Sequence, residues 1–571
     1  MQFSSLYLSN KKQEIELLLL CTRVQINAND THSFKILVKA DIDWQYLLNI
    51  GHRNKILPLL YFHLNSICPK DVPEEHLNFL KKHFEHSCKS NLFLSRELLR
   101  LLNLFNSHNI PVIPFKGPVL TTSLYSNLTL REFSDLDILV PRESIPKVKD
   151  LLISENFKPQ FNLKEYQEEA LLNYHEQLTF KNSHGTLLDV HVSIAPKHFY
   201  NNSKFDLSLW NNLETVKFCD TTVQTLNSEY LLYVLCIHAA KHLWQELRLI
   251  TDLSELITKV SKNKDFNWDK IINHSKEIGI NKILCYSTFF ANKLLDTKLP
   301  ANILNEIKAE VKEEKLIQKI ESVIFNPVPV TISFKNEVLF HTKLFDKPSS
   351  IIQYLQHFAL TPSMGDWKFL SLPKHLNFLY FGLRPIRLFW KYIKKVLNPK
   401  KLAGFLPTPI EVAEEMLTFA EIASSDVIYD LGCGDGRILI TAAKKYGAKG
   451  VGIDIDPKRI QEANNSAHKE NVSHLVRFIQ KDAMAVDISE ATILVLFLPA
   501  ISVQKLKPKL DKSLKKGTYI VSHGDSYFKD WIPEKIKTTM LADGSIHTIY
   551  LWRMTEKTSI PNNENNLVLS S

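Results

Sequence analysis

Two clusters of residues in this 571-residue sequence have the types and spacing for chemistry. The first is a glycine-rich turn. Asp426 to Asp430 is a short apolar run ending in an acid, and it leads into Leu431-Gly432-Cys433-Gly434-Asp435-Gly436-Arg437 and then a helical run from Ile438 to Tyr446. Glycines at 432, 434 and 436 let the backbone turn tightly and approach a ligand where a side chain would clash. A second apolar run, Gly450 to Asp454, ends in an acid followed by Ile455, and a third, Val476 to Asp482, ends in Asp482 followed by Ala483. An acid at the end of the second run is placed to accept hydrogen bonds from ribose hydroxyls, and the end of the third is where an adenine edge is expected. Phosphate binding is the rival use of such a turn, but the Lys-Ser/Thr of a P-loop is missing. The acids also repel a pyrophosphate, whereas they suit an unphosphorylated ribose with a sulfonium cation and a charged amino acid end.

The second cluster is acidic. Ser134-Asp-Leu-Asp-Ile-Leu-Val140 alternates acids with apolar residues, so Asp135 and Asp137 project from one face of a strand; Thr186-Leu-Leu-Asp-Val-His-Val192 repeats the pattern with Asp189 and His191. Carboxylates on adjacent strands can hold two divalent cations, Mg²⁺ or Mn²⁺, that align an attacking oxygen with a triphosphate. Asp135, Asp137 and Asp189 are therefore candidate metal ligands and catalytic residues. Lys116-Gly117, opening a helix, offers charge and backbone donors to phosphates, and Arg131 adds a further cation. An Asp-x-Asp is also common on solvated strand faces, and it is the combination that points to a site. His238 and His242 stand four apart with Lys241 between them, but Ala239 occupies the place of the Glu that a metalloprotease helix needs. These three residues are expected to line a nucleotide site, the histidines alternatively being satisfied within a helical core.

The elements that must position these residues are legible in outline. Apolar residues recur at helical spacing from Glu74 to Asn109, predicting one or two amphipathic helices. Ile110 to Phe115 reads as a strand, Lys116-Gly117 as a tight turn and Pro118 to Tyr125 as a helix. Glu229 to Thr258 and most of Trp268 to Val323 read as helical. Phe378 to Leu397 mixes aromatics with Arg and Lys, a basic amphipathic helix of a kind that can bind membrane surfaces or partners but is read here as taking the commoner role of packing across a domain with its charges solvated. Thr492 to Phe497 is a strand expected to bring Phe497, Leu498 and Pro499 to the acceptor side of the glycine-turn site.

A chain of this length exceeds the roughly 250–300 residues at which single cores stop growing, so two or three domains are expected. We place them at 1–397, a linker at 398–404, a second domain at 405–555 and a disordered tail at 556–571. With 44% hydrophobic and 23% charged residues the composition is that of a folded protein. The net charge of +9 is a thin excess of 70 Lys and Arg over 61 Asp and Glu, and without a nucleic-acid-binding motif it disfavours nucleic acid as a partner. Seven scattered cysteines without a CxxC pair suggest a reducing compartment and argue against structural zinc. No secretion signal or membrane-length apolar run is present, which predicts a cytoplasmic protein with no transmembrane segment.

The glycine turn with its two acid-terminated strands resembles the class I, Rossmann-like methyltransferases that use S-adenosylmethionine. The resemblance implies that Asp430, Gly432, Cys433, Gly434 and Gly436 surround the methionine end of the cofactor, Asp454 and Ile455 the ribose, and Asp482 and Ala483 the adenine. Phe405-Leu-Pro-Thr-Pro409 ahead of the turn makes the segment similar to small protein-lysine methyltransferases, so a protein substrate methylated on lysine is expected. Relatives of that kind carry a membrane-targeting segment that this sequence does not display. No Asn-Pro-Pro-Tyr is present, which disfavours methylation of an exocyclic base nitrogen. In the first 397 residues, Ile110 to Gly117, Tyr125, Arg131, the two acidic strands, His238 to Trp244 and Asp252 resemble the uncharacterised bacterial nucleotidyltransferases of the polymerase-beta-like superfamily. Arg384-Pro-Ile-Arg387 is similar to the end of that domain. The implied fold is an α+β nucleotidyltransferase-like domain with helical extensions, followed by an α/β methyltransferase domain. The implied protein is a bifunctional transferase that also takes a nucleoside triphosphate. Two other readings stay open: a catalytically silent N-terminal module that captures the substrate, and an enzyme in which both domains act on RNA.

Overall fold

The computed structural model describes residues 10–555 apart from 175, 196–198, 201–202, 329–331, 333, 398–405 and 529. The expected linker at 398–404 and tail at 556–571 lie outside the described residues. The chain divides into two compact units, one of residues 1–325 and 332–392 and the other of residues 326–331 and 393–571. No helix among the described residues is long and apolar enough to cross a membrane.

In the first unit, the helical spacing after Glu74 resolves into a single helix, Glu74–Ser107, whose Leu94, Leu98, Leu101 and Phe105 face a sheet. That sheet has five strands: β1 (Ile113–Pro114), β2 (Asp135–Leu139), β3 (Lys158–Pro159), β4 (Gln177–Lys181) and β5 (Leu187–His191), in the order β1-β2-β5-β4-β3. β1 is shorter than the sequence predicts because prolines at 111 and 114 lack the N–H that a ladder needs. β2 and β5 are parallel neighbours with Asp137 opposite Asp189. Alternation then does the sorting. Leu136, Ile138, Leu188 and Val190 are buried against the long helix, while Asp135, Asp137, Asp189 and His191 share the other face. A hairpin, β6 (Leu213–Phe218) with β7 (Thr221–Leu226), precedes a helical region that begins with Ser228–Lys241 and Leu247–Val260.

The second unit is a seven-stranded sheet: β8 (Val427–Leu431), β9 (Lys449–Asp454), β10 (Val476–Gln480), β11 (Ile493–Leu496), β12 (Tyr519–His523), β13 (Lys535–Met540) and β14 (Ile546–Arg553). The order is β10-β9-β8-β11-β12-β14-β13; β8 to β12 are parallel, and β14 runs antiparallel between β12 and β13. Helices 437–446, 457–469 and 500–513 connect the parallel strands, and apolar cores lie on both faces. Chain order reverses between β8 and β11, and in such sheets ligands bind in the crevice beyond the strand ends at that switch. The glycine turn leaves β8 at this point.

Candidate functional site

In the first unit the acidic face of β2 and β5 floors a cavity of about 420 Å³. Lys116, Gly117, Arg131, Asp135, Asp137, Asp189, His191, His238, Lys241 and His242 all line it, so the strand pair, the Lys-Gly turn and the histidine helix converge as the sequence predicts. Gly117 sits at φ +54°, and a Cβ there would come 3.3 Å from the Asp135 carbonyl oxygen; glycine lets the turn press against the start of β2. The turn delivers the Lys116 ammonium to Asp137 Oδ1 at 3.3 Å, and His191 Nε2 reaches the same oxygen at 2.9 Å. Asp189 accepts a hydrogen bond from Thr179 Oγ1 at 2.5 Å.

Burial alone would raise the Asp137 pKa, but the Lys116 ammonium and the His191 imidazole outweigh it and hold the carboxyl below the usual range. Asp135 is pushed the other way, by burial and then by the charges of Asp137 and Asp189. Asp137, Asp189 and His191 each offer an atom within 4.8 Å of the others, a donor set that fits a divalent cation. Asp135, the other expected ligand, lines the same cavity but stands outside that trio. His191 joins Asp137 and Asp189 because it stands two residues past Asp189 on the same strand face. Arg131 also differs from expectation. Its Nε and Nη2 donate to Asp252 at 2.8 and 2.9 Å, and both side chains are buried. With its fork on Asp252, it forms part of the cavity wall. His238 lies beside Lys116 and His242, and burial followed by those two charges holds its imidazole well below the usual range.

In the second unit the crevice is lined by Asp430, Gly432, Cys433, Gly434, Asp454, Ile455, Ala483, Phe497 and Leu498 among others. The turn after β8 is fixed by backbone bonds: Gly432 and Cys433 N–H donate to the Ile453 carbonyl at 2.8 and 3.1 Å. Gly432 has φ +92°, and a Cβ there would meet Leu498 Cδ2 at 3.0 Å. Asp454 accepts from Gly434 N–H at 3.0 Å through one oxygen and from Asp456 N–H at 2.9 Å through the other, leaving a lone pair on each for a diol. Asp430 is 3% exposed. Burial, then the charges of Asp454 and Asp435, push its carboxyl up to about 7, and no hydrogen bond to it offsets them. A buried acid without a donor, beside a second acid and a bare glycine turn, fits a cationic ligand that carries a ribose.

Two residues expected at this cofactor site are used otherwise. Gly436 does not line the crevice; a Cβ there would fall 2.5 Å from Phe478 Cζ and 3.0 Å from Ala463, so this glycine serves close packing of turn, strand and helix. Asp482 turns its carboxylate to Met484 N–H at 2.9 Å and caps the short turn Ala483–Ala485, so Ala483 lines the crevice and Asp482 does not.

The sequence reading also missed participants. Arg437 pairs with Asp435 at 2.6 Å and donates from Nη1 to the Thr408 carbonyl at 3.0 Å, which draws Leu406, Pro407 and Thr408 to the crevice rim. Asp435 and Arg437 stand in the glycine string itself, a signal that was available. Phe497 stacks on His523, with ring centroids 4.2 Å apart. His523 ends β12, where nothing in its local sequence marks it. Its Nδ1 is buried without a hydrogen-bond partner, and burial, then His547, hold the imidazole down to about 4.

Comparison with known proteins matches a different family in each unit. Residues 40–296 match the family described as uncharacterised nucleotidyltransferase, beginning earlier and ending earlier than the sequence motifs suggested, and residues 430–535 match the ANTKMT methyltransferase domain. A protein-lysine N-methyltransferase of Saccharolobus islandicus is 42% identical over 150 residues, covering 26% of this chain and 91% of the relative. A lysine N-methyltransferase of an ATP synthase subunit, from Xenopus laevis, is 31% identical over 110 residues, 19% of this chain and 48% of the relative. Among solved structures, an RNA methyltransferase from Salinibacter ruber in complex with S-adenosyl-L-homocysteine is 43% identical and covers 28% of this chain and 98% of its own, with a TM-score of 0.25. The identity to the Saccharolobus protein over nearly its whole length shows that the chain belongs, through its C-terminal unit, to the S-adenosylmethionine-dependent methyltransferase family that includes the protein-lysine N-methyltransferases.

Proposed function

We propose that the C-terminal unit transfers a methyl group to the side-chain nitrogen of a lysine in a protein substrate. The observation that carries this reading is the pairing of Asp430 and Asp454 across one glycine turn at the sheet's switch point. S-adenosylmethionine, when bound, supplies an activated methyl group. The chain's own work is then to hold and orient. Asp454 offers acceptors to the ribose, Asp430 a buried negative charge to the amino acid end, and the bare backbone of Gly432 and Gly434 permits close approach. Phe497 and Leu498 form an apolar wall on the acceptor side, backed by His523, and such surroundings favour the neutral amine that a lysine nucleophile must be. The Saccharolobus and Xenopus relatives support lysine as acceptor. In calorimetry, Asp454→Ala is expected to weaken S-adenosylmethionine at least about tenfold while the protein stays folded, since a ribose diol loses its charged acceptor. Cofactor affinity unchanged in that variant would remove the ribose role.

For the N-terminal unit we propose a metal-dependent nucleotidyl transfer site. Asp137, Asp189 and His191 would hold a Mg²⁺ or Mn²⁺ ion that aligns an attacking oxygen with a nucleoside triphosphate, Asp135 standing beside it. Lys116 and Lys241 would face the phosphates. Labelled nucleoside triphosphates with either ion are expected to give transfer that falls by at least about a hundredfold in Asp189→Asn. Activity persisting in that variant would take the carboxylate out of the mechanism. A second reading is favoured by one observation: Asp137 already has Lys116 and His191 as partners. On that reading the unit is a binding module that needs no ion, and chelator-insensitive capture of a protein substrate would distinguish it.

A further inference from the structure

The net charge is concentrated in one place. Between Trp367 and Ile410 the sequence has nine Lys and Arg (368, 374, 384, 387, 391, 394, 395, 400 and 401) and no Asp or Glu. Subtracting these from the 70 basic residues leaves 61, matched by all 61 acids, so the +9 of the chain is the charge of this stretch. The stretch contains the 3₁₀ turn Lys374–Leu379 and the helix Tyr380–Leu397.

That helix is seated in reverse. Amphipathic helices ordinarily turn apolar residues to the core and charges to water. Here the inward side carries Tyr380 and Leu383 together with Arg384 and Arg387, and both guanidinium groups are bound by the buried Asp366 at 2.8 and 2.5 Å. The outward side carries Phe381, Ile386, Phe389 and Trp390, which are 41%, 54%, 60% and 54% exposed. A Cβ added at Gly382 would meet nothing within 4 Å. Phe378 and Phe369 extend the apolar surface at 63% and 62% exposure, with Lys368 and Lys374 exposed among them. The expectation that this helix packs its apolar face across a domain is therefore not met. Monomeric proteins rarely leave such a patch uncovered.

We infer that this helix and the turn before it form an interfacial anchor that inserts its aromatic face into an anionic lipid bilayer surface. Phe, Trp and Ile on one exposed face, with Lys368 and Lys374 exposed beside the turn that leads into it, are what the boundary between headgroups and acyl chains accepts. The localised charge complements acidic headgroups, and the helix lies on the membrane without crossing it. Nucleic acid would use the same charge but leaves no role for the aliphatic residues on the exposed face.

The full-length protein is expected to float with vesicles of equimolar phosphatidylcholine and phosphatidylglycerol, and much less with phosphatidylcholine alone. Raising the salt should weaken the association. Phe389→Glu combined with Trp390→Glu should reduce vesicle partitioning by at least about tenfold, because two charges enter the apolar face. Both positions are solvent-facing, so thermal unfolding and S-adenosylmethionine affinity should be unchanged in this double variant. Absence of flotation with either vesicle, or equal flotation of parent and double variant, would overturn the assignment. So would a self-associated dimer that the double variant dissociates without lipid binding, or retention of the protein by RNA in place of vesicles.

Discussion

Asp430→Asn is expected to weaken S-adenosylmethionine by at least about a hundredfold and, at pH 8, to make the unliganded C-terminal unit more resistant to heat. Both effects have one cause. The carboxyl is buried beside Asp454 and Asp435, and its proton is held up to about 7. In the unfolded chain the same group titrates near about 4. Between those values the folded state keeps a proton that the unfolded state has released, so stability falls as pH rises through the window and the full cost is present above it. Asparagine removes that cost. The gain should be near zero at about pH 4, grow to roughly 2–4 kcal/mol and level off above about pH 7. Binding runs the opposite way. A cationic ligand favours the ionised acid, so in the parent protein affinity should rise with pH up to about 7, by about tenfold per unit at most, with protons released on binding below that pH. Calorimetry in two buffers of different ionisation enthalpy reads the release directly. Proton-neutral binding at pH 6, or a variant that melts no higher than the parent at pH 8, would show that Asp430 is not the charged contact.

The elements around this acid were legible to different degrees, for physical reasons. Alternation of acids and apolar residues in β2 and β5 identifies both strands and the shared face of Asp135 and Asp137, because period two is a local property. It does not say that Asp137 lies opposite Asp189, since pairing between segments some fifty residues apart has no local signature. The trio with His191 therefore emerged only once the strands were paired. Around the glycine turn, strand ends and glycines are marked by type, and Asp430, Gly432, Gly434 and Asp454 lie where their types suggest. Gly436 and Asp482 carry the same marks and do other work. Whether a glycine admits a ligand or a neighbouring Phe478 depends on a strand that arrives forty residues later, and an acid at a strand end is equally suited to capping the next turn. The tether from Arg437 to Thr408 and the stack of His523 on Phe497 link distant segments that local patterns do not connect. In the helix Tyr380–Leu397, periodicity identifies the helix and its two faces but not which face is turned inward. Asp366, fourteen residues ahead of Tyr380, decides that by binding the arginines.

The same logic of a distant partner governs Arg131, and it leads to the other large effect. Asp252→Ala is expected to destabilise the N-terminal unit by about 3–5 kcal/mol, because it strands a buried guanidinium without a counter-charge. Arg131 and Asp252 are 4% and 1% exposed, and Tyr125 O–H donates to the same carboxylate at 2.7 Å, so one aspartate satisfies two buried donor groups. Asn91 fixes the approach by donating to the Leu128 and Arg131 carbonyls at 2.6 and 2.9 Å. The pair thus ties the segment leading into β2 to the helix Leu247–Val260. Replacing both members by apolar residues, Arg131→Met with Asp252→Leu, should recover much of the loss, since the desolvation cost of burying two charges disappears with them. Denaturant unfolding read by intrinsic fluorescence checks this: the transition of the N-terminal unit should move in Asp252→Ala and move back in the double variant. The transition that S-adenosylmethionine shifts should stay in place. If Arg131 instead serves a bound phosphate, Asp252→Ala should leave stability within about 0.5 kcal/mol of the parent and change nucleotide affinity alone. With both ends of the guanidinium fork on Asp252, stability is the quantity expected to respond.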